Sequence, residues 1–354
     1  MSEQAAQAAV RAAVSQVVDA GQVPGIVVAV VRGAAPTWCL ALGNDAAGTP
    51  LEQDTLFPVA SVTKMATSLA VHRLVERGDL HLDDLLGDHL PAAAAAQRDV
   101  TLRTLLCHTS GMPLDVLESE APYAPGLNWE VLRNACLQTP LEAAPNTRVQ
   151  YSNAGYGLIG AVVEHVTGLM FTDALAELVL APLGIEAYLG NEPPRVPALL
   201  AKVRSSHAGT ELEPYNTRFW RSLALPWGGL YTTALGALAI VRAYAGHPAD
   251  LLRPATRAEA IADHTGGLAG GFAPPLMWDP CPWGLGPEVR GTKDPHWVTT
   301  RSSPASFGHS GASGCLAWCD PAADLAFAIL GARPADSGWL LRRGPAITEA
   351  IYQF

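Results

Sequence analysis

The segment from Phe57 to Gly78, FPVASVTKMATSLAVHRLVERG, is the starting point for understanding this chain. Leu69, Leu74 and Val75 recur with helical spacing, and a basic residue followed by Gly78 is typical of a helix end. The pattern predicts a helix over 61–77. Ser61 and Lys64 then lie one turn apart on the same helix face, within reach of each other.

This spacing suits a nucleophilic hydroxyl and an amine that activates it. Lys64 stands out because the chain has only three lysines among 23 basic residues, and arginine stays protonated and cannot act as a base. The backbone N–H groups at a helix start would also stabilise an oxyanion beside Ser61. The pattern alone is weak, however, since Ser61 could be a helix N-cap and Lys64 a solvated side chain.

Strand patterns lie at both ends of the chain. Apolar runs over 24–32 and 37–43 predict two neighbouring antiparallel strands, and runs over 315–319 and 325–330 flank an Asp-Pro-Ala-Ala-Asp turn. A closing helix is predicted over 345–352. The middle, about 82–223, has short helical patterns with many prolines and glycines.

We therefore expect an α+β chain with an antiparallel sheet flanked by helices. Residues 1–60 and 235–354 would form a discontinuous α/β domain, and 61–234 a mainly helical domain, with the active site between them.

Composition excludes several classes of function. A net charge of -10 without a basic run argues against nucleic acid and anionic membrane surfaces as partners. No apolar stretch approaches the roughly 20 residues of a membrane span, and no secretory signal is visible, so we expect a cytoplasmic location. The six cysteines are expected to be mostly free buried thiols. Cys315 and Cys319 lack a cluster that would complete a zinc site, so we predict no metal.

Two further groups of residues could carry chemistry. Tyr151-Ser152-Asn153 stands at a predicted helix start. Gly308-His309-Ser310-Gly311, followed by Ala312, stands where the chain enters a terminal strand with little side-chain bulk, so a substrate could approach that backbone closely.

With these three motifs in this order, the sequence resembles the penicillin-recognising serine hydrolases: class C β-lactamases, D-Ala-D-Ala carboxypeptidases and family VIII carboxylesterases. The similar segments span nearly the whole chain and include Leu105-Leu-Cys-His-Thr-Ser-Gly-Met112, Ala181-Pro-Leu-Gly184 and Gly228-Gly-Leu-Tyr-Thr-Thr233. The resemblance implies a β-lactamase/transpeptidase-like fold and acyl-enzyme chemistry without a cofactor.

The resemblance also implies roles for individual residues. Ser61 would be the nucleophile, Lys64 the activating amine and Tyr151 the phenol that relays a proton to the leaving group. Asn153 would bind Lys64 and the substrate. The N–H groups of Ser61, at the helix start, and Ala312, at the edge of the strand that carries His309, Ser310 and Gly311, would form the oxyanion hole. Whether Lys64 or Tyr151 is the base stays open, because a buried pair titrates as a unit.

His309 departs from the pattern of typical β-lactamases and carboxypeptidases, which have a lysine there. A mostly neutral imidazole should bind an anionic β-lactam less well, yet it could support Tyr151 by a hydrogen bond. The resemblance is therefore closest to the esterase and amidase members, and a small ester is the preferred substrate. A D-amino-acid amidase or peptidase, a weak β-lactamase and a non-catalytic ligand-binding protein are the alternatives.

Other residues are ambiguous. His108 is expected to organise its loop rather than to act as a second base. Five tryptophans in the second half could wall an acyl pocket or pack the core: Trp220, Trp227, Trp278, Trp283 and Trp297. Whether the loop over 276–306 closes over the site, and the oligomeric state, stay open.

Overall fold

The computed structural model describes residues 2–93 and 98–354. The helices are α1 Glu3–Asp19, α2 Thr63–Arg77, α3 Leu86–His89, α4 Leu102–Leu106, α5 Trp129–Gln138, α6 Asn153–Thr167, α7 Phe171–Leu175, α8 Ala181–Leu183, α9 Arg218–Ser222, α10 Ala234–Tyr244, α11 Pro254–Ile261 and α12 Trp339–Ile351. The strands are β1 Gly25–Arg32, β2 Trp38–Gly43, β3 Phe57–Pro58, β4 Val149–Gln150, β5 Ala187–Tyr188, β6 Tyr231–Thr232, β7 Gly270–Gly271, β8 Met277–Trp278, β9 Glu288–Val289, β10 Phe307–Gly311, β11 Cys315–Asp320 and β12 Leu325–Gly331.

Six strands form the main antiparallel sheet, in the order β2-β1-β12-β11-β10-β9. Every residue of β11 and β12 is buried. Strands buried along their whole length must be covered on both faces, and accordingly they read as continuous apolar runs rather than alternating ones. Helix α10 packs across β1, β11 and β12, while α1 packs on α12 and on β1 and β2.

Both predicted strand pairs are confirmed. Strands β1 and β2 pair antiparallel with Ile26 opposite Leu42, and β11 pairs with β12 with Cys315 opposite Leu330. The Asp-Pro-Ala-Ala-Asp segment makes the predicted turn as a short 3-10 helix, Pro321–Ala323. Strand β1 also pairs antiparallel with β12, with Ile26 opposite Gly331, and this pairing brings the two ends of the chain into one sheet.

The predicted closing helix is correct in place but not in length. The observed helix α12 begins six residues earlier, at Trp339, and has Pro345 inside it. Trp339 and Leu340 are buried in its first turn. Their packing holds the first half of the helix in place, although a proline inside a helix removes one backbone hydrogen bond.

The helix predicted over 61–77 is present and has two parts. A 3-10 turn, Ala60–Val62, leads into α2. The helix ends at Gly78, which adopts φ +81°, and the Gly78 N–H donates to the Leu74 carbonyl oxygen. This is the left-handed cap that the glycine predicted.

Two small sheets of two-residue strands lie in the remaining part of the chain. One has the order β3-β6-β5 and the other β4-β7-β8. Strand β3 ends three residues before Ser61, and β4 ends one residue before Tyr151. Each small sheet therefore anchors the backbone that carries one of the predicted catalytic side chains.

No single helix in the described residues is long and apolar enough to cross a membrane, while a bent pair, Asn153–Thr167 with Phe171–Leu183, meets the length and composition criteria together.

Candidate active site

Ser61 lies in the 3-10 turn ahead of α2, and the backbone around it is tightly held. The Val59 N–H donates to the Leu230 carbonyl oxygen (2.9 Å), and the Thr63 hydroxyl donates to the Ala60 carbonyl oxygen (2.6 Å). Ala60 adopts φ +44°, in the left-handed region that alanine seldom occupies. Such strain persists only where the surrounding structure imposes it, which is common at functional sites.

Lys64 is fully buried, and its ammonium nitrogen contacts three neutral oxygens. Nζ donates to Asn153 Oδ1 (2.7 Å) and to the Trp227 carbonyl oxygen (3.1 Å), and it lies 3.4 Å from Ser61 Oγ. No carboxylate in the described part of the chain lies within ion-pair distance of this nitrogen. Burial therefore holds the pKa of Lys64 well below its usual value, with the charge of Asp115 opposing.

A neutral amine in this position has a definite orientation. Asn153 Oδ1 and the Trp227 carbonyl oxygen can each accept one of its two N–H groups. The lone pair is then left for the third neighbour, the Ser61 hydroxyl. The arrangement suits a general base that removes the serine proton.

Tyr151 presents a buried, protonated phenol to the same place. Burial raises the pKa of Tyr151 well above 10, with the Ser61 side chain opposing. The Tyr151 hydroxyl has no hydrogen-bond partner among the described residues. Lys64 Nζ lies 4.6 Å from the centre of the Tyr151 ring, so the three side chains form one cluster.

Asn153 connects Lys64 to a carboxylate at the edge of the site. Its Oδ1 accepts from Lys64, and its Nδ2 donates to Asp115 Oδ1 (2.7 Å). Because the carboxylate can only accept, it fixes which end of the amide faces the lysine. The sequence analysis did not single out Asp115. A lone acidic residue in a loop gives no signal until folding places it beside Asn153.

The strand β10 carries His309, Ser310 and Gly311 past the Ser61 turn. A side chain at Gly311 would place a Cβ atom 2.4 Å from the Val59 carbonyl oxygen, so the two backbones meet only because this residue is a glycine. Ala312 follows in the exposed turn between β10 and β11. The oxyanion hole at the Ser61 and Ala312 N–H groups stays a prediction.

His309 is fully buried and neutral at pH 7. Burial, together with Lys64, lowers the pKa of His309 to about 4. Its Nδ1–H donates to the Ser310 carbonyl oxygen (2.6 Å), and Nε2 has no partner in the described part of the chain. The hydrogen bond from Tyr151 to His309 that the sequence led us to expect is absent from this structure. The Ser310 carbonyl orients the His309 imidazole. The imidazole contacts Tyr151 through the rings, whose centroids are 5.8 Å apart.

A cavity of about 270 Å³ lies beside the cluster. Asp115 and Trp227, both connected to Lys64 through hydrogen bonds, are in its wall, as is Ala154, the neighbour of Asn153. The rest of the wall is mostly apolar with one further carboxylate, and it consists of Val116, Glu118, Ala121, Tyr123, Leu127, Leu132, Trp220, Leu223 and Leu225.

The five tryptophans divide between the two roles considered from the sequence. Trp220 and Trp227 line the cavity. Trp283 packs against Tyr151 and His309. Trp278 and Trp297 are buried, and each packs against Phe272. The loop over 276–306 is thus largely folded into the interior behind Tyr151.

Neither metal ligation nor a cysteine framework is seen at the site. Within residues 2–93 and 98–354, no group of three or more His, Cys, Asp or Glu side chains could hold a metal ion. Cys107, Cys281, Cys315 and Cys319 are buried free thiols, and Cys39 is a half-buried one.

Comparison with known proteins places the chain in a family. The family model Beta-lactamase matches residues 10–344. A penicillin-binding protein 4 from Amycolatopsis lactamdurans is 31% identical over 202 residues, covering 55% of this chain and 52% of the relative. Esterase EstB from Burkholderia gladioli is 38% identical over 173 residues, covering 44% of each. The chain spans about half the length of these curated relatives.

A solved structure of a beta-lactamase from Mycobacterium bovis superposes with a TM-score of 0.68 at 28% identity, covering 96% of this chain and 99% of that one. The family model, the order of the three motifs and the antiparallel sheet with its flanking helices agree, and the chain belongs to the Beta-lactamase family.

Proposed function

We propose that this chain is a serine hydrolase that cleaves small esters through an acyl-enzyme at Ser61. The observation that carries the proposal is the buried Lys64 amine, held 3.4 Å from Ser61 Oγ without a carboxylate partner in the described residues. A lysine that is desolvated in this way serves as a base at neutral pH. A degenerate binding protein would have no chemical need for this arrangement.

The first half of the reaction uses three side chains. Lys64 takes the Ser61 proton as Oγ attacks the substrate carbonyl carbon, and the backbone N–H groups of Ser61 and Ala312 stabilise the oxyanion. As the carbon–oxygen bond to the alcohol breaks, Tyr151 gives its proton to the leaving oxygen. The Lys64 ammonium then returns a proton to the phenolate, so that both groups regain their starting states.

Deacylation runs the same steps with water in place of serine. Water gives a proton to Lys64 as its oxygen attacks the acyl carbon. As the bond from that carbon to Ser61 Oγ breaks and the carboxylic acid is released, Tyr151 gives its proton to Oγ, and the Lys64 ammonium returns a proton to the phenolate. The lowered pKa of Lys64 and the raised pKa of Tyr151 support a proposal with the lysine as the base and the phenol as the acid.

The surroundings of the site favour a substrate without negative charge. The adjoining cavity is mainly apolar, and its two ionisable side chains besides tyrosine, Asp115 and Glu118, are acidic. His309, where a cation would hold a carboxylate, is neutral at pH 7. An anionic β-lactam would therefore find no positive charge at His309, and a neutral acyl group fits the cavity better.

The test is intact mass and turnover for the wild type and Ser61→Ala with p-nitrophenyl butyrate and a chromogenic cephalosporin. We expect rapid ester turnover that is lost in Ser61→Ala, a transient butyryl mass on the wild type, and little cephalosporin opening. Absence of turnover and of any adduct with both compounds would contradict the proposal and favour a ligand-binding protein.

We also propose a cytoplasmic location, which free thiols fit.

A second candidate is an amidase for substrates with a cationic amino group. The observation in its favour is the pair of carboxylates, Asp115 and Glu118, in the wall of an otherwise mainly apolar cavity. The test compares D- and L-phenylalanine amide with 3-phenylpropanamide, which lacks the ammonium group. Faster hydrolysis of an amino-acid amide than of both 3-phenylpropanamide and the butyrate ester would favour this candidate.

A further inference from the structure

His108 contacts three consecutive residues of the segment that carries the phenol. Its carbonyl oxygen accepts a hydrogen bond from the Gln150 N–H (2.8 Å), and its Nδ1 accepts one from the Ser152 N–H (3.1 Å). Between these two bonds its imidazole lies against the Tyr151 ring, with 4.5 Å between centroids. The Tyr151 N–H itself donates to the Gly271 carbonyl oxygen (3.2 Å). His108 thus holds two of the three N–H groups and the ring between them.

The backbone of His108 is itself held in an uncommon conformation. It adopts φ +60°, in the left-handed region that residues other than glycine, asparagine and aspartate seldom occupy. The next residue, Thr109, is fixed by two hydrogen bonds with Asn146: hydroxyl to Oδ1 (3.0 Å), and Asn146 N–H to the Thr109 carbonyl oxygen (2.7 Å). The turn directs both the carbonyl and the side chain of His108 toward one segment.

The hydrogen bonds also define the protonation state of the imidazole. Since Nδ1 accepts from an N–H group, it carries no proton, and the single proton is on Nε2. Burial holds the pKa of His108 well below 6.5, so the ring is neutral. A phenyl ring could fill the same space, but it could not accept the Ser152 hydrogen bond.

From these contacts we infer that His108 is a positioning residue that sets the place of the Tyr151 phenol for proton transfer to the leaving group. It acts through the Gln150–Ser152 backbone and the ring contact, without touching the substrate. The inference rests on the proposed function, in which Tyr151 protonates the departing alcohol. It assigns a role in the reaction to a residue expected only to organise its loop.

The role predicts a dependence on the leaving group. An alkoxide is a strong base and must be protonated as it leaves, whereas p-nitrophenolate leaves without help. Misplacing the Tyr151 phenol should therefore impair hydrolysis of ethyl butyrate much more than that of p-nitrophenyl butyrate. A general loss of structure would impair both esters alike.

Two variants separate the contributions of His108. His108→Phe keeps a ring but loses the acceptor for Ser152, while His108→Asn keeps a nearby acceptor and tolerates φ +60°. We expect His108→Phe to lower kcat/KM, which reports the acylation step, by roughly 10- to 100-fold on the ethyl ester and by less than about threefold on the p-nitrophenyl ester. His108→Asn should recover part of the loss. Equal losses on both esters in soluble, folded variants would overturn the inference.

The nitrogen spectrum of the imidazole tests the geometry independently of any substrate. In a protein labelled with nitrogen-15 histidine, the signals of His108 are assigned by their disappearance in His108→Asn. We expect a neutral ring with its proton on Nε2 at pH 7. A proton on Nδ1 would overturn the inference, whereas a wild type that forms no acyl-enzyme at Ser61 would instead overturn the proposed function.

Discussion

Two lysines of this chain are buried almost completely, yet their surroundings differ in one respect. Lys293 Nζ lies 2.9 Å from Glu288 Oε1 and donates to the Pro282 carbonyl oxygen (2.8 Å). Lys64 Nζ has hydrogen-bond partners as close, but all of them are neutral oxygens. Within residues 2–93 and 98–354, the first site contains a countercharge for the amine and the second does not.

The carboxylate decides which form of the buried amine is favoured. At the Lys293 site, burial disfavours the Glu288 charge, yet Lys293 and His296 together keep the pKa of Glu288 far below its usual value. Glu288 is therefore held as a carboxylate, and it forms a buried ion pair with Lys293. At the Lys64 site the same burial lowers the lysine pKa and leaves a neutral base. Equal burial thus produces a structural cation in one place and a reactive amine in the other.

The two sites share an aromatic layer. Lys293 Nζ lies 4.8 Å from the centre of the Trp283 ring, and that ring lies 5.8 Å from the Tyr151 ring. Lys64 Nζ lies 4.6 Å from the Tyr151 ring. The ion pair therefore supports the wall of the site without contacting Ser61.

The largest effect is expected from Lys64→Arg, which keeps a positive charge but removes the titratable amine. We expect kcat/KM for the ester to fall by roughly 10³-fold or more, since arginine cannot accept the Ser61 proton. Lys64→Met should lose activity similarly. Its free energy of unfolding in urea should change by only about 1–2 kcal/mol, because relief from burying an amine offsets the lost hydrogen bonds. Near-normal activity in Lys64→Arg would refute the assignment of Lys64 as base.

The opposite result is expected at the second lysine. Lys293→Met leaves Glu288 buried without a countercharge, and breaking a buried pair in this way costs about 3–5 kcal/mol of unfolding free energy. The double variant Lys293→Met with Glu288→Gln should recover most of that loss, because glutamine is neutral and still accepts hydrogen bonds. Urea unfolding at pH 7 measures both.

The pair also contributes to the acid sensitivity of the fold. Because the folded pKa of Glu288 is lowered, its stabilisation is complete above its ordinary pKa of 4.5 and is lost as the pH falls further. Below pH 4.5, the double variant should lose less stability than the wild type does. A double variant as unstable as Lys293→Met would show that packing, rather than charge, is the main contribution at this site.

The smallest effect is expected from Asp115→Asn, which removes the carboxylate whose charge raises the pKa of Lys64. Since the base must be neutral, activity is lost as the pH falls through the Lys64 pKa, and the variant should shift that acid limb of kcat/KM to lower pH. The shift should be modest and reduced by salt, because Asp115 is exposed. Asparagine still accepts from Asn153.

Glu118→Gln is the matched control, since Glu118 lies in the same cavity wall but is not among the charges that act on Lys64. Its acid limb should match the wild type. If the acid limb of Asp115→Asn stayed at the same pH or moved to a higher pH, the titration of Lys64 would not be the cause of that limb.

Much of the fold could be predicted from local patterns. The β1–β2 pair, the β11–β12 pair, the α2 helix and its glycine cap depend on residues close together in the chain, so their signals are local. The first half of α12 was missed because a proline inside a helix is unfavourable until buried partners such as Trp339 are known. The candidate site was predicted partly from spacing, in the case of Ser61 and Lys64, and partly from resemblance, in the case of Tyr151 and His309.

The amino-acid sequence by itself determined which groups capable of chemistry exist and which of them are one helical turn apart. Only the tertiary structure decided that Lys64 has no carboxylate partner among the described residues while Lys293 has one, that Asp115 orients Asn153, and that His309 donates to the Ser310 carbonyl oxygen. The physical reason is that pKa values and hydrogen bonds depend on burial and on neighbours that are distant in the chain, as Asn153 is from Lys64 by 89 residues.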